Sequence, residues 1–316
     1  MVGEFEFIEN IKSRYGLDKI GDDCAVLPKD AETDLLLTAD MLVEDIDFRL
    51  EWTTPEFLGH KALAVSLSDI AAMGGEPKWA MLSIGVPKYL WNTDFIDRFY
   101  AGWFELANKF GIELVGGDVS RSPDKLVIDS IVGGEVTKDG AILRSTAKPG
   151  DSIFIAGTLG GSAGGLKLLE NGARHKQSEP DFSNLLILKQ LKPQPQLEIA
   201  NLLKRQFIAS SMIDVSDGFS SDLAHLCRQS EVGAVVENIP VEKELYSRFL
   251  AEESLEMALH GGEDFGLLFT VPPNKISDAE KLSVNRIGRV ISDVGKIEFV
   301  QGLNHTILEP KGYRHF

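Results

Sequence analysis

Short apolar runs of strand length recur along this chain, and one after another they end in an aspartate. Thr38-Ala39-Asp40, Gly116-Gly117-Asp118 and Asp214-Val215-Ser216-Asp217 follow this pattern, and Gly21-Asp22-Asp23 and Ser68-Asp69 sit at the edges of two more apolar segments. A carboxylate at the end of a buried element faces an apolar interior, at serious desolvation cost unless it ionises beside a cation. Mg²⁺ suits such a set because it prefers carboxylate oxygen and bridges to substrate phosphates. Any one of these aspartates read alone is an ordinary helix or turn cap. Five such places together point to metal.

The length, 316 residues, suits two domains sharing a cleft. With 48 acidic against 32 basic residues the formal charge is -16, so nucleic acid or an anionic membrane would be repelled as a main partner. An anionic substrate needs metal ions, which invert the sign of the local field. Cys24 and Cys227 lie in apolar contexts with no metal-ligand spacing and read as reduced core thiols; the six histidines are scattered and read mostly as surface residues. Met1-Val2-Gly3-Glu4-Phe5-Glu6 lacks the basic and apolar regions of a signal peptide, and no apolar run is long enough to span a bilayer. A cytoplasmic location is the expectation.

Residues 24–28 and 34–42 read as neighbouring strands. Thr54 and Pro55 then open a helix through Leu58, Ala62, Val65 and Ile70 that ends at Gly74-Gly75. Asp69 falls in its last turn, where the macrodipole disfavours negative charge, so it requires a cation or a donor. A strand over 79–86 precedes a helix from Thr93 with Ile96, Phe99, Trp103, Leu106 and Phe110 on one face, closed by Gly111. The run 112–115 reads as a strand that ends at Gly116-Gly117-Asp118, and 126–136 as a further strand. Lys148-Pro149-Gly150-Asp151 marks the boundary, giving domains 1–148 and 149–316. Beyond it come a strand over 152–156, a glycine-rich turn over 157–165 leading into a helix, and a polar loop over 173–183. A strand or buried segment over 207–215 follows, then a helix capped by Ser220. The remainder reads as short strands and loops.

The glycine-rich turn is not a P-loop, because Leu166 and Lys167 follow Gly165. Close packing of a helix on a strand and anion binding at a helix N-terminus account for it equally well. Asp264-Phe265-Gly266 copies a protein-kinase signature without its companion motifs, so that reading is rejected. No Ser, His and Asp set stands out as a nucleophile system. Paired aspartates without a nucleophile suit phosphoryl transfer, where positioning and charge neutralisation supply most of the catalysis. Arg144 reads either as a surface ion pair or as a bidentate phosphate contact. Glu263, between Gly262 and Asp264, reads as a polar contact.

Taken in order, Gly21-Asp22-Asp23-Cys24-Ala25-Val26-Leu27, Thr38-Ala39-Asp40-Met41-Leu42-Val43-Glu44, Lys61 through Gly74, Gly116-Gly117-Asp118, Leu143-Arg144-Ser145, Ile213 through Gly218 and Gly261-Gly262-Glu263-Asp264-Phe265 closely resemble the thiamine-monophosphate kinase family. The resemblance runs nearly end to end, to Lys311-Gly312-Tyr313. It implies an aminoimidazole-ribonucleotide-synthetase-like α/β (α+β) fold of two domains. The strands of the N-terminal domain would join those of a homodimer partner, and a C-terminal α/β domain would close over the cleft. It also implies transfer of the ATP γ-phosphate to thiamine monophosphate with several Mg²⁺ ions.

Carried over motif by motif, the resemblance assigns metal to Asp23, Thr38, Ala39, Asp40, Asp69, Asp118, Asp214 and Asp217, with Ala39 offering backbone oxygen only. It assigns the nucleotide to Gly117, Asp118, Arg144 and Ser216, and thiamine monophosphate to Asp47, Glu263 and Tyr313. Asp47 departs from the histidine often found there, and Phe265-Gly266 from the usual Tyr-Glu. Selenophosphate synthetase would show a reactive N-terminal Cys and Lys, whereas Cys24 sits within an apolar run. A non-catalytic hydrogenase-maturation relative would use a C-terminal cysteine, whereas this chain ends Tyr313-Arg314-His315-Phe316.

Overall fold

A computed structural model describes residues 4–176 and 181–315. The first half runs α1 (Glu4–Tyr15), β1 (Ala25–Pro28), β2 (Thr33–Val43), α2 (Pro55–Ala72), β3 (Glu76–Pro87), a short α3 (Lys88–Trp91), α4 (Phe95–Phe110), β4 (Glu113–Ser122) and β5 (Val127–Thr137). Its five strands lie in the order β1-β2-β5-β3-β4, antiparallel except for the parallel pair β3 and β4. The second half runs β6 (Ser152–Ala156), α5 (Gly161–Glu170), α6 (Phe182–Leu191), α7 (Leu197–Arg205), β7 (Ser211–Asp214), α8 (Phe219–Gln229) and β8 (Gly233–Val236). It continues through α9 (Ala251–His260), β9 (Leu267–Val271), α10 (Ile276–Ala279), β10 (Asn285–Ile291), β11 (Ile297–Gln301) and β12 (Asn304–Ile307). These seven strands order as β12-β11-β8-β10-β6-β9-β7.

Helix α2 is the hub. Thr54 caps it by accepting from the Phe57 amide at 3.2 Å, Pro55 occupies its first turn, and Gly74 (φ 66°) follows its end. It packs on β2 and β5, on α4, and on α7 and β7 of the second half, so nearly every side is buried. Leu63, Leu67 and Ile70 are fully enclosed, each worth about 2 kcal/mol of apolar transfer. The crossing with α4 is close because a Cβ at Gly59 would lie 1.9 Å from the Phe99 carbonyl. Leu36, Trp103, Phe154 and Phe269 belong to one continuous core, which fixes the two halves against each other.

One face of the five-stranded sheet is open. Along β2, Leu36, Thr38 and Leu42 are buried under α2, while Ala39 and Met41 on the other face are exposed, Met41 by 61%. Leu35, Leu37, Ile131 and Met81 extend this apolar face, and β4 forms the sheet edge with Val115 and Val119 half exposed.

Several sequence expectations change here. Strand β4 does not stop at Gly116 but runs through Gly116-Gly117-Asp118, because its parallel pairing with β3 continues to Ser122. The close approach at Gly117 (φ 145°) is to β3 itself, where a Cβ would meet the Leu82 carbonyl at 1.9 Å. Ser220 does not cap α8. Gly218 (φ 123°) precedes the helix and its amide donates to Asp222 at 3.0 Å, while the Ser220 hydroxyl meets His260 Nδ1. Helix α7 occupies a stretch to which the sequence reading assigned no element, and α9 one read as short strands and loops. His60 and His225 are buried rather than on the surface. Of the expected loop 173–183, residues 177–180 lie outside the described residues, as do Met1, Val2, Gly3 and Phe316, and Phe182 already opens α6. Cys24 and Cys227 are buried free thiols. Among the described residues no helix is long and apolar enough to cross a membrane.

Candidate active site

Asp23, just before β1, Asp69 near the end of α2 and Asp214 at the end of β7 each offer a carboxylate oxygen within 4.8 Å of the others. Three elements distant in sequence thus deliver three acids to one point. Hydroxyls support them: Thr38 donates to Asp69, Ser68 donates to Asp214 at 2.6 Å, and Ser66 donates to neighbouring Asp40 at 2.7 Å. Burial, then the charges of Asp40, Asp214 and Asp23, push the Asp69 carboxyl well above its ordinary range. Burial and the charge of Asp23 raise Asp214 to about 8, against the opposing pull of Ser68. Burial raises Asp40 to about 6. Acids that resist ionising together because they repel one another in a buried place fit a divalent cation, which removes that resistance.

The cation that faces this cluster within the chain is Arg144. Its Nε and Nη2 hold both oxygens of Asp23, at 3.0 and 2.5 Å, and its amide donates to Asp22 at 2.7 Å. Burial opposes the guanidinium charge, but the carboxylates of Asp23, Asp214 and Asp22 outweigh that and hold its pKa above the usual arginine value.

Beside the cluster opens a cleft of about 710 Å³ between the two halves, with Asp40, Ser216 and Asp217 on its wall. Asp47, Glu263 and Tyr313 line it too, so the three acceptor-site candidates share one space. Glu263 enters the cleft on a segment folded against the 214–218 turn: its amide donates to the Ser216 carbonyl at 2.7 Å, and that of Phe265 to Val215 at 2.8 Å. Glu263 (φ 62°) and Phe265 (φ 48°) both adopt the left-handed region that L-residues avoid. The C-terminal stretch is pinned nearby, with the Tyr313 amide donating to the Asp217 carbonyl at 2.9 Å.

The N-terminus of α5 is already filled. Asp264 accepts from the Gly160 amide at 2.5 Å and from the Ser162 amide at 3.0 Å, taking the place an external anion would occupy. A Cβ at Gly165 would lie 2.1 Å from the Leu186 carbonyl, so close helix packing accounts for that glycine.

The cluster gathers Asp23, Asp69 and Asp214, with Thr38 bonded to Asp69 and the charge of Asp40 acting on Asp69 and Asp214. Gly117 and Asp118 stay apart. In register, Asp40, Ser130, Leu82 and Gly117 form one row across the sheet, and Met41, Asp129, Ser83 and Asp118 the next. Asp118 therefore shares the open face with Met41, and β4 lies three strand spacings, roughly 14 Å, from β2. Ala39 also faces the open side. Sequence reasoning passed over Lys61, Ser66, Ser68 and Gln190. The signal for the first three was polar residues on a helix apolar all round, each of which needs a partner inside.

Residues 21–147 match the family model of the AIR synthase related protein N-terminal domain, and residues 148–300 that of its C-terminal domain. The chain is 36% identical over 329 residues to the thiamine-monophosphate kinase of Bacillus subtilis (strain 168), covering 99% of each. It belongs to the thiamine-monophosphate kinase family. A structure described as AaThiL complexed with AMPPCP and TMP superposes with a TM-score of 0.89 at 35% identity, covering 100% of this chain and 97% of that one. The hydrogenase maturation protein HypE in complex with ATP, at 18% identity, a TM-score of 0.71 and coverage of 96% of this chain and 94% of its own, shares the fold alone. Members of this kinase family phosphorylate thiamine monophosphate at the expense of ATP, and the two-domain α/β architecture described above is theirs.

Proposed function

We propose that this chain transfers the γ-phosphate of ATP directly to thiamine monophosphate, giving thiamine diphosphate, the last step of its synthesis. The observation that carries the reading is the convergence of Asp23, Asp69 and Asp214 beside a cleft wide enough for a phosphorylated heteroaromatic molecule. The relative that holds AMPPCP, an ATP analogue, together with TMP supports two phosphorylated ligands in this fold at once. Asp23, Asp69 and Asp214, with Asp40, Asp217, Thr38 and the Ala39 carbonyl, would hold Mg²⁺. Bound there, Mg²⁺ would neutralise the charge that develops on the transferring phosphoryl group.

The chain's own groups divide the remaining work. Ser216 and Arg144 lie where nucleotide phosphates meet the cluster, and Arg144 can exchange its grip on Asp23 for a phosphate. Asp47, Glu263 and Tyr313 hold the acceptor. An acceptor phosphate is already ionised, so no general base is needed.

The open apolar sheet face supports a homodimer in which two copies pack these faces together. Asp118 turns away from its own cluster, so its metal and nucleotide role, with Gly117, belongs at the interface and serves the second copy. We assign residues 1–148 to metal, nucleotide and dimer contacts and residues 149–316 to closing the cleft, in a cytoplasmic enzyme. The formal charge of -16 is consistent with no nucleic-acid or membrane partner.

The deciding assay incubates the purified protein with ATP, Mg²⁺ and thiamine monophosphate, with free thiamine and aminoimidazole precursors as controls. Thiamine diphosphate should form only with the monophosphate, and chelator should abolish it. Comparable kcat/KM on free thiamine, whose alcohol would need a general base, would refute the reading.

A further inference from the structure

Two acids of the cleft, Glu263 and Asp47, differ in how directly they meet a cation. Lys61 projects from α2 with its side chain only 3% exposed, and its Nζ lies 2.8 Å from both carboxylate oxygens of Glu263. Gln190 of α6, itself buried, donates a second hydrogen bond to Glu263 Oε2. The fully buried Ser162 hydroxyl donates to Gln190 Oε1, which fixes the amide so that its nitrogen faces the carboxylate. The chain Ser162, Gln190, Glu263, Lys61 thus crosses from the second half of the molecule to the first along the cleft floor. It holds Glu263 on its left-handed backbone with the side chain still 30% exposed. Among the described residues Asp47 accepts the Val43 amide at 2.8 Å and no Lys or Arg nitrogen forms an ion pair with it; burial raises its carboxyl against the weaker, through-space pull of His315 and Lys61.

A carboxylate whose charge is already neutralised by a buried ammonium is a poor counter-ion for a second cation. What it retains is a lone pair on Oε1 with a fixed direction. Resting on the acceptor reading above, we infer that Lys61 is a positioning residue that makes Glu263 a directional acceptor for the exocyclic amine of the substrate's pyrimidine ring, leaving Asp47 as the acid that offsets the thiazolium charge. Lys61 and Gln190 thereby set specificity without touching the reacting phosphates. The site selects a phosphate ester that carries an N–H donor on one ring and a positive charge on the other.

The test compares binding of thiamine monophosphate with that of oxythiamine monophosphate, in which oxygen replaces the amine. Calorimetry with Mg²⁺ and a non-hydrolysable ATP analogue gives the affinities, and steady-state assays give kcat and KM. Wild type should prefer the amine by roughly tenfold or more, because the analogue presents a carbonyl oxygen, not an N–H donor, to the fixed Glu263 Oε1 that binding desolvates. Lys61→Met and Gln190→Leu should bring that ratio close to one, raising KM for the amine far more than they lower kcat. Asp47→Asn should weaken both ligands and keep the ratio. Should Lys61→Met fold poorly, Gln190→Leu carries the test by itself. A preserved ratio in a variant that melts like wild type, or a ratio lost in Asp47→Asn instead, overturns the inference while leaving kinase activity standing. Failure of wild type to bind thiamine monophosphate while the nucleotide binds removes the acceptor reading and this inference with it.

Discussion

Arg144 holds both carboxylate oxygens of Asp23, at 2.5 and 3.0 Å, and that aspartate side chain has no exposed surface. The guanidinium thus places a positive charge directly against a proposed metal ligand in a buried place. Arg144→Met should destabilise the protein in excess chelator by about 3 kcal/mol, since removing one partner of a buried pair leaves the other uncompensated. Added Mg²⁺ should recover more stability in the variant than in wild type. Melting curves with and without metal measure both, and an unchanged melting temperature in chelator would show that the pair contributes nothing.

Asp214→Asn and Asp217→Asn keep size and hydrogen bonding while each removes one negative charge. If these residues merely shape the turn, activity should survive, because Asn caps about as well as Asp. As metal ligands, each loss should lower kcat by about 10²-fold, the scale of removing one transition-state donor. For Asp214→Asn the melting temperature in chelator should hold or rise, since repulsion from Asp23, Asp69 and Asp40 is relieved. Near wild-type kcat in both variants would return these residues to the role of turn formers.

The raised carboxyls carry a pH signature. Asp40 near 6, Asp214 near 8 and Asp69 well above its ordinary range all bind protons more tightly in the fold than in the unfolded chain, where such groups titrate near 3.8. Their contribution is therefore fully present below about pH 4 and is lost as pH rises through 6 and 8. In chelator, the stability of Asp214→Asn relative to wild type should grow across that window. Mg²⁺ should erase the difference at pH 8 by stabilising ionised wild type. A pH-independent difference in chelator would contradict the assignment.

Met81 lies 38% exposed in the open sheet face, in register with Ile131. Met81→Glu places a charge where two such faces would meet, and desolvating it there has no compensating partner. Sedimentation should show a dimer for wild type and a monomer for the variant. If the proposed interface contributes Asp118 to the other copy's site, the variant also loses activity beyond any loss of stability. A variant that sediments as a dimer would place the contact elsewhere.

The local chemistry was legible in the sequence. Thr54-Pro55 opens α2 and Gly111 (φ 67°) closes α4 as read, because caps and left-handed glycines act through neighbouring backbone alone. The apolar run of β2 and the aspartates at element ends were also visible, and with them the reaction, once the ordered motifs were matched. Helices α7 and α9 were missed because each is short, 9 and 10 residues, and is held by tertiary packing more than by its own signals.

What the linear chain could not contain is distance between residues far apart in it. Asp23, Asp69 and Asp214 meet only because α2 packs against both β2 and β7, and Asp264 occupies the α5 N-terminus only because the 261–266 segment folds back on the 214–218 turn. Strand pairing decided that Asp118 faces away from the cluster that its motif suggested it would join, since side-chain direction alternates at every residue and depends on register. Spacing in sequence determines what each element can be. Which carboxylate meets a cation, and which meets another carboxylate, is set by packing, because charges act through space and not along the chain.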